Sequence, residues 1–326
     1  MTLSVGVIGV GIMGAEHARI VRDATPGVVL AGIHDLDPDK AAASAGPDTK
    51  VFADAKSLIN SRLIDAVLIA SPDSTHMELA LECIRIGKPA LCEKPLGVTA
   101  DEARHVVGAE IAAGRRCVQM GFMRRFDCGY VELARQLADG AIGTPFVLHN
   151  IHRNAAAPEW YTSEMSITNA FIHEIDTTRW LLGEEIRSLR VLTTGRPDPL
   201  LVTMQAQSGA LISSEIFMNC AYGYEVGTQV VGSKGTIETV APLTARLRQN
   251  GAVQDKVPQL WIPRFVQAYT QQIRAWTSAV VADCGPAGAS AWDGYVNGFI
   301  ADGALRSLAK DAQIDISVPE RPGLYA

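Results

Sequence analysis

Between residues 166 and 183 the chain reads SITNAFIHEIDTTRWLLG, and three of its side chains, Asn169, His173 and Asp176, recur at i, i+4 and i+7. That spacing stacks them on one side of a helix which also carries Ile172, Ile175, Trp180 and Leu181. An imidazole between an amide and a carboxylate can take up and release a proton near neutral pH. The same stripe also fits a plain solvent-facing helix, and this segment alone does not separate the two readings.

A second chemically loaded residue is Lys94, in CEKPLG directly after the apolar run PALC. If PALC is a strand of a parallel sheet, Lys94 lies just past its carboxyl end, where doubly wound sheets collect their ligands. Pro95 fixes the backbone there and admits a cis bond. A third feature is GVGIMG, in which Gly9, Gly11 and Gly14 follow the strand-like SVGVIG and, with Ile12 and Met13, open a helix-like run. In this pattern Gly9 permits a tight turn, Gly11 lets the backbone approach a pyrophosphate, and Gly14 lets helix and strand pack closely, with the helix N-terminus facing the phosphates. Asp35 stands about 20 residues further on, at the end of the next strand, where a carboxylate accepts hydrogen bonds from an adenosine ribose. Asp35 and Asp37 would repel a 2′-phosphate, so NAD is expected rather than NADP. In DLDPDK, Asp35 also fits a plain turn.

These residues need elements to position them. Up to about residue 120 the runs at 4–9, 28–33, 65–70, 89–92 and 116–121 are almost continuously apolar, as strands buried on both faces of a parallel sheet are. MGAEHARIVRDA, THMELALECIRIG and TADEARHVVGAEIAAG read as helices between them; Ser74 or Thr75 caps the second, and Thr99 with Glu102 makes a capping box on the third. The repeated βαβ unit predicts a doubly wound Rossmann domain over residues 1–121. From 122 to 326 the rhythm changes. Stretches 145–151, 186–194, 200–206, 210–218 and 226–239 are strand-like, SGA and GSKG look like hairpin turns, and two helices close the chain, the first with Phe265, Tyr269, Ile273, Trp276 and Val280 on one stripe. An α+β domain on a largely antiparallel open sheet is expected there, for substrate binding and oligomerisation.

Bulk properties narrow the partners. The 326 residues suggest two domains, and 48% hydrophobic content supplies two cores. A formal net charge of −6 with no Lys/Arg block argues against nucleic acid or an anionic membrane, and leaves a small molecule. The six cysteines form no C-x-x-C pair or metal spacing and read as buried thiols in a reducing compartment, with no metal expected. Neither a signal peptide nor a membrane span is apparent, so a cytoplasmic protein is expected.

Taken together, GVGIMG, DAVLIASPDSTHMELALECIRIGKPALCEKPLGVT, GFMRRFD, GAIGTP and FIHEIDTTRWLLG resemble the glucose-fructose oxidoreductase / inositol dehydrogenase / rhizopine catabolism family of NAD(P)-dependent dehydrogenases. Within it, residues 152 to 182 resemble most the inositol dehydrogenases. The resemblance implies oxidation of a secondary hydroxyl of a cyclic polyol, myo-inositol or a related inositol, to the ketone. Hydride moves to the nicotinamide while a base takes the hydroxyl proton. Lys94 and His173 match the two positions that touch that oxygen. Either can be the base, with a protonated Lys94 otherwise holding the developing alkoxide. Arg124, His152, Asn154 and, more weakly, Tyr224 match substrate contacts. Ser71, Pro72, Glu93 and Lys94 border the cofactor, as does His76 unless it is only a first-turn helix residue.

One departure bears on substrate. The inositol dehydrogenases have an aspartate where this chain has Asn169. A carboxylate accepts from two hydroxyls and makes a neighbouring histidine more basic, whereas an amide offers one acceptor and one donor group. A stereoisomer of myo-inositol, another cyclitol or a pyranose sugar is therefore a competing substrate. A non-redox NAD-binding regulator and an NAD-dependent glycosidase are the alternatives from other classes, and a homodimer or homotetramer is expected.

Overall fold

The computed structural model describes residues 2–240 and 246–326. The chain forms two compact units, one from Met1–Arg125, Ala268–Phe299 and Pro319–Ala326, the other from Phe126–Gln267 and Ile300–Val318. Beside a single cut after residue 121, this division adds Phe122–Arg125 and two later stretches to the first unit.

The first unit alternates β1 (Leu3–Ile8), α1 (Ile12–Ala24), β2 (Val28–His34), α2 (Pro38–Ser44), β3 (Lys50–Val51), α3 (Ala55–Asn60), β4 (Ala66–Ile69), α4 (His76–Ile86), β5 (Ala90–Cys92), α5 (Ala100–Ala113) and β6 (Val118–Met120). Its strands run parallel in the order β3-β2-β1-β4-β5-β6, the doubly wound arrangement. β4, β5 and β6 are buried along their whole length, which is why their sequences are continuously apolar. The short α2 and α3 went unread in the sequence, although each has a carboxylate cap: Asp37 accepts from the Asp39 and Lys40 N–H groups, and Asp54 from Ser57. Thr99 caps α5 as expected, but Glu102 reaches the N–H of Val98 rather than that of Thr99. No side chain caps α4; the Thr75 hydroxyl is spent on the Pro72 carbonyl and the Ser71 hydroxyl. The later segment belongs to this core through Ile273 and Trp276, and through Gln119, whose side-chain oxygen accepts from Ala287 and Gly288.

The second unit contains α6 (Cys128–Ala138), β7 (Pro145–Arg153), α7 (Ser163–Met165), a π-helical segment (Ser166–Phe171), α8 (Ile172–Leu182), β8 (Ile186–Thr193), β9 (Leu200–Ala206), β10 (Leu211–Phe217), β11 (Glu225–Gly232), β12 (Gly235–Glu238) and the hairpin β13 (Arg246–Gln249) with β14 (Ala252–Asp255). Helices α9 (Trp261–Ala282) and α10 (Ala291–Lys310) follow in the chain, with Ala268–Phe299 assigned to the first unit, and then comes β15 (Ile314–Asp315) in the second. The seven-stranded sheet has the order β12-β11-β7-β10-β9-β8-β15. Every pairing in it is antiparallel except β10 with β7, so the sheet is mixed but largely antiparallel. Its strands alternate, with Leu200, Val202 and Met204 buried while Leu201 on the other face is 42% exposed.

Four of the six cysteines are buried as expected, while Cys128 and Cys284 are exposed, at the first residue of α6 and just after α9. Asp127 fastens this unit: it caps α6 through the Gly129 and Tyr130 N–H groups and forms a two-pronged ion pair with Arg264, at 2.5 and 3.2 Å. Both side chains are only 6% exposed. Asp127→Ala removes the cap and strands a buried guanidinium, so a loss of about 3–5 kcal/mol is expected in denaturant unfolding.

Candidate active site

The glycine turn occupies the junction of β1 and α1. Gly9 has a φ of +82°, the left-handed region, and a Cβ there would meet the backbone of Ala70 and Ser71. A Cβ on Gly14 would collide with the Gly9 carbonyl, whereas one on Gly11 would meet nothing within 4 Å. No capping side chain accepts from the leading N–H groups of α1. Ile12 is 74% exposed at the first turn, with Met13 half-buried beside it. Asp35 accepts from the Val10 N–H at 2.6 Å and from the Asp37 N–H at 2.8 Å, tying the turn to the end of β2. Gly9, Gly11, Asp35, Ser71 and Pro72 together line a cleft of about 640 Å³. An open glycine cradle, an uncapped helix start and an adjoining carboxylate fit a dinucleotide.

The end of β4 lies beside that turn in the sheet, and β5 is the next strand. His76 is 1% exposed, and its two ring nitrogens face the carbonyls of Pro95 at 2.6 Å and Ser71 at 2.8 Å, so it ties the two loops together. The Lys94-Pro95 bond is cis. Lys94 itself is half-buried. Glu93 lies under it: one oxygen is 2.8 Å from Nε2 of the fully buried His17, and the other accepts from the Lys94 N–H at 3.3 Å. Burial pushes the Glu93 carboxyl up, but the His17 bond and the charges of His17 and Lys94 outweigh it and hold the group below its ordinary range. Arg124 is 2% exposed, on the short 3-10 turn Met123–Phe126 after β6.

In the second unit the SITNAFIHEIDTTRWLLG stretch proves not to be a solvated helix. From Ile172 to Arg179 every residue of α8 is buried, His173 at 8% and Asp176 at 1% exposure. The stretch is also not one continuous α-helix, since Asn169 sits in the π-helical segment before α8 and is only half-buried. Its side chain lies near the Tyr161 hydroxyl, which donates to the Met165 carbonyl at 2.9 Å.

The rest of that cluster comes from β7 and the approach to β11. The ring of His152 lies 6.3 Å from that of His173 and edge-on to Tyr224 at 6.2 Å, and its Nδ1 is 3.1 Å from the carboxylate of Glu174. Two residues earlier on β7, Asn150 bonds Thr178, Ser214 and Thr228 in a buried polar network. Asn154 follows β7, where its buried Oδ1 has no hydrogen-bond partner among the described residues. The second unit thus brings His152, His173 and Tyr224 together, while the first carries Lys94, Arg124 and the glycine turn.

Three residues that contact this set were not singled out in the sequence. His17, Glu174 and Tyr161 touch Glu93, His152 and Asn169 respectively. The available signal was polarity on helix faces that must be buried, at GAEHA and IHEID. Among the described residues no cluster of three or more His, Cys, Asp or Glu could hold a metal ion, and no helix is long and apolar enough to cross a membrane.

Comparison with known proteins adds the following. A family model described as an oxidoreductase family with an NAD-binding Rossmann fold matches residues 3–122, and one described as a GFO/IDH/MocA C-terminal domain matches residues 130–238. Inositol 2-dehydrogenase 1 of Saccharopolyspora erythraea is 40% identical over 338 residues, covering 100% of this chain and 99% of that protein. An inositol 2-dehydrogenase of Klebsiella pneumoniae is 38% identical over 338 residues with the same coverage. Among solved structures, the myo-inositol dehydrogenase from Lactobacillus casei in complex with NAD(H) and myo-inositol superposes with a TM-score of 0.96 at 33% identity, over 100% of both chains.

Proposed function

The chain belongs to the GFO/IDH/MocA oxidoreductase family, and from that premise we propose that it oxidises a secondary hydroxyl of a cyclic polyol, myo-inositol or a related inositol, to the ketone with NAD. The observation that carries the reading is the run of buried polar side chains in the second unit, His152, His173 and Asp176, on a chain whose full length matches inositol dehydrogenases. Polyol hydroxyls are both donors and acceptors and can hydrogen-bond side chains of this kind.

When bound, NAD supplies the hydride acceptor. Gly9, Gly11, Ile12, Met13 and Gly14 would hold its pyrophosphate against the start of α1, with Asp35 taking the ribose and Ser71, Pro72, His76 and Glu93 bordering the cleft. Lys94, beside the ionised Glu93, supplies an ammonium to the oxygen that loses its proton, and His173 accepts that proton. Arg124, His152, Asn154, Asn169 and Tyr224 orient the ring hydroxyls. The exposed sheet face carrying Leu201 and Leu211 suits association into a homodimer or homotetramer, and the chain works in the cytoplasm.

Incubation with NAD and a panel of inositols and pyranoses, with identification of the product, tests the reading. An inosose formed one-to-one with NADH supports it; NADH from sugars alone, or none at all, rejects it.

Two substitutions probe its parts. Asp35→Ser is expected to raise the KM for NAD about tenfold and to narrow the gap to NADP, as the carboxylate that repels a 2′-phosphate is removed. Asn169→Asp is expected to improve turnover of myo-inositol relative to other cyclitols, because a carboxylate accepts from two hydroxyls. An unchanged substrate ranking would leave Asn169 as a merely structural residue of the π-helical segment.

A further inference from the structure

We infer that Glu174 is a positioning residue for the polyol site, acting through His152: it fixes the proton on Nδ1 of that ring and so makes Nε2 an acceptor for a substrate hydroxyl. The inference deepens the cyclitol reading and rests on it, since the hydroxyl received by His152 is one of that substrate.

Glu174 is fully buried and neighbours His173 on α8. Consecutive helical residues diverge by about 100°, so His173 and Glu174 leave α8 in different directions. Glu174 meets β7, where its Oε2 lies 3.1 Å from Nδ1 of His152. Both side chains are removed from water, at 7% and 0% exposure, and a carboxylate in such a place needs a hydrogen-bonding partner. An ionised carboxylate only accepts, so the ring carries its proton on Nδ1, and in the neutral ring Nε2 is left as the acceptor.

The ring is steadied on two further sides, edge-on to Tyr224 at 85° and tilted by 49° to His173. The neighbouring pair between the same two elements is of another kind. Asn150 and Thr178, two residues back on β7 and four on along α8, are tied at 3.1 Å into a closed network with Ser214 and Thr228. The Glu174 pair ends instead on a ring that stands against His173. A site read by Nε2 of His152 accepts from an O–H and discriminates against an ether or a deoxy carbon at that position.

The test uses the full chain with Glu174→Gln, His152→Gln and the double variant; glutamine keeps the size of Glu174 but no longer dictates which ring nitrogen is protonated. Glu174→Gln is expected to raise the polyol KM roughly tenfold or more, with kcat less affected and the KM for NAD unchanged. In the His152→Gln background the same change should add nothing. Nitrogen NMR of the histidine rings, recorded without NAD or polyol, should show His152 protonated at Nδ1 in the parent and a mixture of tautomers in Glu174→Gln. Multiplying effects on KM, or an unchanged ring tautomer, would overturn the inference. The NMR result stands even if no polyol is turned over, so a failure of the cyclitol reading is distinguishable from a failure of this one.

Discussion

Lys94→Ala is expected to lower kcat by roughly 10²–10⁴-fold while the affinity for NAD stays at its parent value. Lys94 follows β5 at the end of a parallel strand beside Glu93, and in the proposed reaction it is the group that holds the oxygen losing its proton. Its removal leaves the glycine turn intact, since that turn is set by Gly9, Gly14 and the two bonds accepted by Asp35. Glu93 keeps its bond to His17, so the half-buried carboxylate is not stranded. Steady-state turnover with titration of NAD binding by fluorescence reads both quantities. Normal turnover, or a parallel loss of NAD binding, would remove Lys94 from the reaction.

His173→Gln is expected to cost a similar factor but with a different signature in pH. A histidine that accepts a proton must be neutral, so the parent rate falls on the acid side as the imidazole becomes charged. Glutamine does not titrate, and the residual rate of the variant should be flat across that range. Lys94→Ala keeps the acid limb because His173 is still present. If the limb survives in His173→Gln and vanishes in Lys94→Ala, the two roles are reversed.

Much of the first unit was legible because parallel strands are apolar from end to end and the glycine turn is a local pattern with local causes. Lys94 could be placed for the same reason, as a strand's carboxyl end follows from the strand. The second unit was legible in outline, by alternation, but its one parallel pairing, β7 with β10, follows from packing and leaves no trace in either strand. The polar stripe was half read. Its spacing suited one α-helix, yet six residues cannot distinguish an α from a π repeat, and the chain enters α8 through a π-helical segment that carries Asn169.

Partners were the least legible feature. His17 and Glu93 are 76 positions apart, and His152 and Glu174 are 22 apart, so their pairing exists only once the elements have packed. Thr75 failed as a cap for a related reason, since Ser71 and Pro72 compete for its hydroxyl.

The most direct test of the central claim follows the hydrogen on the oxidised ring carbon. A cyclitol bearing deuterium on that carbon, incubated with the protein and NAD, is predicted to give one equivalent of ketone and one of NADH, with the deuterium at C4 of the nicotinamide. Unlabelled NADH, or a cleaved substrate with the cofactor recovered as NAD, would contradict it.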